Sequence, residues 1–417
     1  MRADSVPPGS TAPLSEIPSG TPGNPVAEPD EAPSRPIGDF IDFDLAARLG
    51  ARVVRPGPGS SPAEAAEAVA DLRAAAAEAV EPVAATARMR RDPAVAEEPP
   101  ALVVDRASWV RANIAAFADL LGPVQVRPQR TSPTRAGVRG AAAARAEQAT
   151  TALGRRTTAV EMGGLMGLLS GKVLGQFDVF TGVDAGEPGR LLLVAPNIVA
   201  AEQELGLVPR DFRRWVCLHE ETHRLQFGAN PWLRRWITEQ ARELSGDLVG
   251  RPQDLADRLA AVLKGLPGIL RDSRDEEAGD ASGSASGSGS GQSLTDLLQT
   301  PEQRAAVARV VAVMSLLEGH ADVVMDEVGP RYVPTVQQIR AAFTERRRGR
   351  GGLDSVLRRV IGLDAKLRQY AEGASFVRGV VDTVGWDDFN AVWTGPETLP
   401  TPAEIADPPA WVARVLR

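Results

Sequence analysis

The sequence contains very little cysteine and very little histidine. Cys217 is the single cysteine, and only three histidines occur among 417 residues. One cysteine excludes an internal disulfide and a zinc site made only of cysteines. Any metal site in this chain must therefore be built from histidine, aspartate and glutamate.

The sequence also lacks a long uninterrupted apolar run. The most apolar stretch, residues 307–325, contains Arg309, Glu318, His320 and Asp322, which argues against a membrane-spanning helix. No apolar segment follows the charged start of the chain, so a secretory signal is not expected. The formal net charge of -7 provides no excess of positive charge for nucleic acid. Together these absences predict a cytoplasmic protein that binds neither nucleic acid nor membrane.

Two segments are too rich in Pro, Ser and Gly to form a buried core, namely residues 1–37 and residues 272–293. We expect the first to be a disordered tail and the second a disordered surface insertion. Residues that can carry chemistry lie on both sides of the insertion. Residues 38–417 are therefore predicted to form one domain, and the sequence does not indicate its oligomeric state.

The secondary-structure pattern is mainly helical. Alanine-rich stretches at 62–95 and 105–121 have helical spacing. Two strand-like runs, VLGQFDVF from Val173 and RLLLVAPNI from Arg190, flank a Gly/Pro-rich turn. This arrangement predicts a hairpin or a pair of strands. The predicted fold class is therefore mainly α (α+β), with a small β-hairpin or sheet.

Residues 211–228 have the pattern of one amphipathic helix that places His219 and His223 in its buried stripe. Two histidines at i and i+4 can direct ring nitrogens to one ion, and Glu220 between them can reach a water bound to that ion. In a chain of this composition such an H-E-x-x-H motif is expected by chance about 0.001 times. Cys217 points about 160° away from His219, which predicts a small buried or half-buried residue rather than a ligand. Glu221 is predicted to be solvated.

A second helix is predicted over residues 300–328, which begin with a capping threonine and a proline. Glu318 and Asp322 lie on its apolar face. Because an unpaired buried charge costs several kcal/mol, a cation or strong hydrogen-bond donors must face them. The simplest assembly makes Glu318 the third zinc ligand, with Asp322 accepting the ring N–H of one ligating histidine.

Other side chains are weaker candidates for contact with a substrate or transition state. His320 is the alternative to Glu318 as third ligand, but it lies about 200° round the helix from Glu318, which favours a surface or rim histidine that could still touch a transition state. Tyr332 could donate to an oxyanion or belong to a structural loop. The strand at 190–197, which includes Asn197, could be an edge that pairs with an extended substrate or an ordinary core strand.

Three protein ligands leave the fourth zinc position for water, whose pKa falls to about 7 on the metal. Glu220 could then act as general base in metal-assisted hydrolysis, most simply of a peptide bond. Two alternatives use the same residues. One is a scaffold with structural zinc that binds a protein partner, and the other is a zinc hydrolase with a non-peptide substrate.

Four stretches, taken together, resemble a family of zincin-like metallopeptidases from actinobacteria and Chloroflexi. They are VLGQFDVF, LLLVAPNI, DFRRWVCLHEETHRLQFGANPWL and LLEGHADVVMD. Weaker similarity extends from about Phe40 through VVDRASWVRANIAAFADLL. The resemblance implies a mostly helical zincin-like fold and a zinc peptidase. Part of this family is labelled as associated with deazaflavin coenzyme biosynthesis, but the sequence contains no flavin-binding motif.

Glu318 and Asp322 are also similar to the E-x-x-x-D element of thermolysin-type gluzincins. That similarity implies that Glu318 is a metal ligand and that Asp322 orients a histidine. The interval of 95 positions from His223 to Glu318 is longer than in compact gluzincins and includes the Gly/Ser-rich insertion.

Overall fold

The computed structural model describes residues 34–92, 99–126, 141–248, 301–349 and 363–417. These residues are mainly helical and include a small three-stranded sheet, which confirms the predicted fold class. The predicted insertion at 272–293 lies outside the described residues, as does the predicted tail except for its last four residues. The division of the chain into tail, domain and insertion therefore stays a prediction.

Helices account for most of the described chain, and none of them is long and apolar enough to cross a membrane. The strands are β1 (Arg35–Pro36), β2 (Leu102–Val104), β3 (Gln125–Val126), β4 (Gly175–Asp178) and β5 (Arg190–Val194). The helices are α1 (Phe43–Arg52), α2 (Pro62–Ala87), α3 (Arg106–Leu121), α4 (Ala141–Leu169), α5 (Ala195–Glu204), α6 (Pro209–Ala229), α7 (Pro231–Leu248), α8 (Pro301–Tyr332), α9 (Val336–Gly349), α10 (Leu363–Phe389), α11 (Pro402–Ile405) and α12 (Pro408–Val415). Short 3-10 turns occur at Ile37–Phe40, Asn390–Trp393 and Pro396–Thr398.

The two alanine-rich stretches form α2 and α3, and both helices begin at capped residues. At the start of α2, the Ser61 hydroxyl accepts from the backbone N–H of Glu64 at 3.2 Å, and the Glu64 carboxylate accepts from the Ser61 N–H at 2.7 Å. At the start of α3, the Asp105 carboxylate accepts from the Ser108 N–H at 2.6 Å. These contacts satisfy backbone donors that have no partner inside the helix.

The main sheet has the strand order β2-β5-β4. β5 pairs antiparallel with β4, which confirms the predicted paired strands, and it pairs parallel with β2 on its other side. The suggestion that residues 190–197 form a sheet edge is therefore wrong, and the alternative of a core strand is correct. In the described chain the edge on this side is β4. The strand-like run from Arg190 ends at Val194, because Pro196 falls in the first turn of α5, where its fixed backbone angle is favourable.

Helix α6, which carries the histidine pair, is packed against α2, α8 and the sheet. Helix α8 in turn crosses α10 at very short range. A Cβ added to Gly319 would lie 2.2 Å from the carbonyl carbon of Gly373, and one added to Gly373 would lie 2.0 Å from the Ser315 carbonyl oxygen. The two glycines therefore allow α8 and α10 to touch through their backbones. This contact positions the residues on either side of Gly319, which are Glu318 and His320.

The close contact between α8 and α10 predicts that two glycine-to-alanine substitutions differ strongly in their effect on the free energy of unfolding. Gly319→Ala should lower the free energy of unfolding by about 2–3 kcal/mol, because its Cβ overlaps backbone atoms that cannot rotate away. Gly164→Ala is the matched control, because an added Cβ at this helical glycine meets nothing within 4 Å. Gly164→Ala should be neutral or stabilising by up to about 1 kcal/mol. Urea denaturation measures both, and equal midpoints would show that the crossing tolerates a side chain.

Candidate metal centre

The predicted histidine helix is confirmed and extends from Pro209 to Ala229. Cys217 is fully buried, as the sequence indicated, and its thiol lies 3.7 Å from the Leu72 carbonyl oxygen of α2. Burial and the nearby carboxylates raise the pKa of this thiol. The thiol therefore stays protonated on the side of α6 that packs against α2.

The expectation that Glu221 is solvated is wrong. Its side chain is only 1% exposed, and its carboxylate oxygens lie 2.7 Å from Nη2 of Arg91 and 3.4 Å from Nη1 of Arg224. The reason is that α2 and the residues after it cover the second face of α6. The helical pattern predicted that this face is exposed to water, whereas in the structure the Glu221 side of α6 is covered.

Three potential ligand atoms converge between α6 and α8. The Nε2 atoms of His219 and His223 are 3.2 Å apart. Glu318 places one carboxylate oxygen 3.6 Å from His219 Nε2 and the other 3.7 Å from His223 Nε2. Ligands at about 2.0–2.1 Å from a tetrahedral zinc ion are separated from one another by about 3.3 Å. The spacing and the chemistry of these three side chains, which we call the ligand cluster, therefore fit such an ion.

The ligand cluster is partly open to solvent. The side chains of His219 and Glu318 are 27% and 26% exposed, and that of His223 is 13% exposed. Desolvation and the neighbouring imidazole of His223 lower the pKa of His219 to about 4. His219 is therefore neutral at pH 7, which is the form that binds a metal.

Glu220 lies beside the ligand cluster and is buried. Desolvation, together with the negative charge of Glu318, raises its pKa well above the usual range for a glutamate. A Cβ added to Gly175, the first residue of β4, would lie 2.6 Å from the Glu220 carboxylate. A glycine is therefore needed at this point to let the carboxylate lie against the backbone of the edge strand.

His320 is not a surface or rim histidine, and this expectation is corrected. It is 0% exposed, and its ring lies 5.3–5.8 Å from the rings of Trp386, Phe389 and Trp393, which we call the aromatic box. Burial lowers the pKa of His320 to about 3. The angle round α8 was estimated correctly, but α10 and the 3-10 turn after it cover this face of the helix.

The contacts of Gln226 were not predicted from the sequence. Its side-chain oxygen lies 2.9 Å from Nδ1 of His223, and its side-chain nitrogen lies 2.9 Å from Nδ1 of His320. The signal available in the sequence was its position three residues after His223, on the same helical face. Asp322 is half-buried and lies one turn beyond Glu318. Since Gln226 already contacts Nδ1 of His223, the orienting role predicted for Asp322 would apply to His219. That role stays a prediction.

The structure does not bring Tyr332 to the ligand cluster. Its ring lies 4.9 Å from the Arg214 guanidinium, and its charged neighbours include Glu78 of α2. Burial raises the pKa of the Tyr332 hydroxyl to about 12. Tyr332 is therefore placed on the α2 side of α6, next to Arg214.

Asn197 is engaged inside the fold. Its side-chain oxygen accepts from Nε of Arg106 at 2.6 Å. Its side-chain nitrogen donates to the carbonyl oxygens of Ser170 and Val173, at 2.7 and 2.6 Å. These bonds connect the start of α5 to α3 and to the segment before β4.

Two comparisons with known proteins found similarity over most of the chain. A family model described as zincin-like metallopeptidase matches residues 41–412 of the chain. A protein from Chloroflexus aurantiacus, described as "a putative hydrolase with a novel fold", is 30% identical in sequence. The match to its crystal structure covers 90% of this chain and 99% of that chain, with a TM-score of 0.56. No curated protein matches the chain.

The ligand cluster predicts which substitutions abolish metal binding. Purified wild-type protein should retain about one zinc ion per chain after dialysis, as expected for three convergent ligands. His219→Ala and Glu318→Gln should each lose most of it, because two remaining ligands bind weakly. Elemental analysis by mass spectrometry measures the metal content.

Glu302→Gln provides the control, because it neutralises an exposed carboxylate in the first turn of the same helix as Glu318. It should retain zinc at the wild-type level. Undiminished zinc in both His219→Ala and Glu318→Gln would contradict the assignment of the ligand cluster.

Proposed function

This chain belongs to the zincin-like metallopeptidase family, and we propose that it is a zinc-dependent hydrolase that cleaves peptide bonds. The observation that carries the proposal is the ligand cluster, in which two imidazole nitrogens and a carboxylate lie 3.2–3.7 Å apart. Glu220 lies next to this cluster and is not part of it. A set of three ligands with an adjacent carboxylate is the arrangement that metal-assisted hydrolysis requires.

Zinc, when bound, would supply Lewis acidity that polarises a substrate carbonyl and makes a water molecule more acidic. His219, His223 and Glu318 would hold the ion. Glu220 would take the proton from the attacking water and pass it to the leaving amine. The position of Glu220 supports this role, because its carboxylate is held against the backbone of β4 next to the ligand cluster.

A peptide substrate is supported by the position of β4. Among the described residues this short strand is at one edge of the main sheet, and Gly175 at its start lies against Glu220. An extended peptide can add to an exposed sheet edge through backbone hydrogen bonds. A peptide paired along β4 would then run close to the proposed general base.

The exposure of the ligand cluster favours an enzyme over a scaffold with structural zinc. Structural zinc sites are closed by four protein ligands. In the described part of the chain, His219, His223 and Glu318 are the three residues grouped with ligand spacing, and about a quarter of His219 and Glu318 is exposed. A non-peptide hydrolase would use the same residues, so the substrate test must separate the two activities.

Two neighbouring glutamates give a matched test of this mechanism. Glu220→Gln should retain zinc but lower kcat by about 100-fold to 10,000-fold on a quenched-fluorescent peptide library, because the general base is removed. Glu221→Gln alters the next residue, which lies on the side of α6 opposite His219. Since it breaks a buried ion pair, it should lower the free energy of unfolding by about 3 kcal/mol while the folded fraction keeps its activity.

The outcomes separate the alternatives. Full activity of zinc-loaded Glu220→Gln would remove Glu220 from the general-base role. If zinc-loaded wild-type protein cleaves no peptide in the library, the proposed peptidase activity is wrong. Activity of that same protein on ester or amide substrates would then identify the non-peptide hydrolase, and inactivity on these too would favour the scaffold.

A further inference from the structure

We propose that Gln226 and His320 are positioning residues that hold His223 in the tautomer required for metal binding. The inference rests on the metal-binding part of the proposed function and adds two residues to it. Neither residue belongs to the ligand cluster. Both are fully buried, and together they connect His223 to the aromatic box.

The orientation of the Gln226 amide is determined by a backbone group. Its side-chain nitrogen lies 2.9 Å from the carbonyl oxygen of Leu317. A carbonyl oxygen can only accept, so the group facing it must be the NH₂ and not the oxygen of the amide. The reversed amide would place two acceptors against each other in a buried site, which is unfavourable.

This orientation determines the tautomer of His223. The Gln226 side-chain oxygen lies 2.9 Å from His223 Nδ1, and because that oxygen only accepts, Nδ1 must carry the proton. A neutral imidazole has a single N–H, so His223 Nε2 then keeps its lone pair. Nε2 is the atom that lies 3.2 Å from His219 Nε2 and 3.7 Å from the Glu318 carboxylate. The lone pair therefore faces the ligand cluster.

His320 takes the second hydrogen of the same amide group. Its Nδ1 lies 2.9 Å from the Gln226 side-chain nitrogen, whose hydrogens can then be shared between Leu317 and His320. His320 must accept at Nδ1, so its own proton is on Nε2. This Nε2 has no hydrogen-bond partner among the described residues. The aromatic box surrounds the ring with apolar surface, which favours the neutral form that can accept.

The network also explains why position 320 carries a histidine inside an aromatic box. Phenylalanine would pack against the same rings but would leave one Gln226 N–H without an acceptor. Leu317 and His320 lie on either side of Glu318 in α8, whereas Gln226 and His223 belong to α6. The amide therefore connects the two ligand-bearing helices at the position of the ligands themselves.

The first experiment measures the tautomer directly in metal-free protein. With only three histidines in the chain, a long-range ¹H–¹⁵N NMR spectrum of ¹⁵N-histidine-labelled protein can be assigned by substitution. We expect wild-type His223 to be protonated on Nδ1 and His320 on Nε2. Gln226→Met, which keeps the length but removes the hydrogen bonds, should give His223 a mixture of both tautomers.

The second experiment measures the dissociation constant for zinc by competition with a chelating dye. Gln226→Met should bind zinc about 10-fold to 100-fold more weakly than wild type, which is typical when the partner of a metal-binding histidine is lost. His320→Phe should weaken binding less, because Leu317 still holds the amide. In the Gln226→Met background His320→Phe should have no further effect, because His320 acts through Gln226.

Trp393→Phe is the control for packing. It alters the aromatic box next to His320 but removes no side-chain hydrogen bond, because the Trp393 indole nitrogen has no partner among the described residues. It should bind zinc as wild type does. Circular dichroism of each metal-free variant separates loss of folding from loss of affinity.

A zinc affinity of Gln226→Met within about 2-fold of wild type, for a folded variant, would overturn the inference. So would a wild-type His223 protonated mainly on Nε2, and that result needs no variant to fold. If the wild type binds no zinc, the proposed function is contradicted instead. The tautomers of His223 and His320, which are measured in metal-free protein, would still test the inference.

Discussion

The burial of most of α6 between other elements is the constraint on which the rest of the structure depends. This helix carries charged and polar side chains on every face, and both broad faces are covered by other elements. A buried polar group needs a partner, since losing its hydrogen bonds to water is costly. Arg213 accordingly binds Glu202 at 2.6 Å and Asp71 at 2.7 Å, while Glu221 binds Arg91 at 2.7 Å. Neighbouring elements therefore supply a charged partner for Arg213 and for Glu221. The ligand cluster meets the same need, because it brings the two histidines of α6 together with the Glu318 carboxylate.

Four consecutive residues of α8 show how packing and chemistry are combined. The Leu317 carbonyl accepts from Gln226, and Glu318 approaches the two histidines. Gly319 allows the backbone of α10 to touch α8, and His320 points into the aromatic box. Successive helical residues point in different directions, about 100° apart, so each of the four meets a different neighbour. A change in the packing of α8 would therefore be transmitted to the position of the Glu318 carboxylate.

Residues whose direction depends on local helical geometry were predicted correctly from the sequence, whereas residues whose exposure depends on neighbouring elements were not. The direction of His219 and His223 follows from the helical period, and Glu318 was selected because a carboxylate on an apolar face needs a partner. Glu221 and His320 were assigned to solvent by the same helical geometry, and both are buried. The angles were correct, but an angle does not reveal which element covers a face. The β2 strand was missed for a related reason, since its three residues contain no alternation and pair only with a distant strand.

The sequence by itself determined the histidine helix, the fold class and the residue types from which a metal site could be made. It did so because hydrophobic period, helix starts and i, i+4 spacing are properties of a short segment. Only the tertiary structure decided that Glu318, 95 positions after His223, meets it, and that β5 is the central strand between β2 and β4. It also decided that Gln226 is the partner of His223 Nδ1. These contacts depend on how separate helices and strands pack, and packing over such separations is a property of the whole core rather than of any one segment.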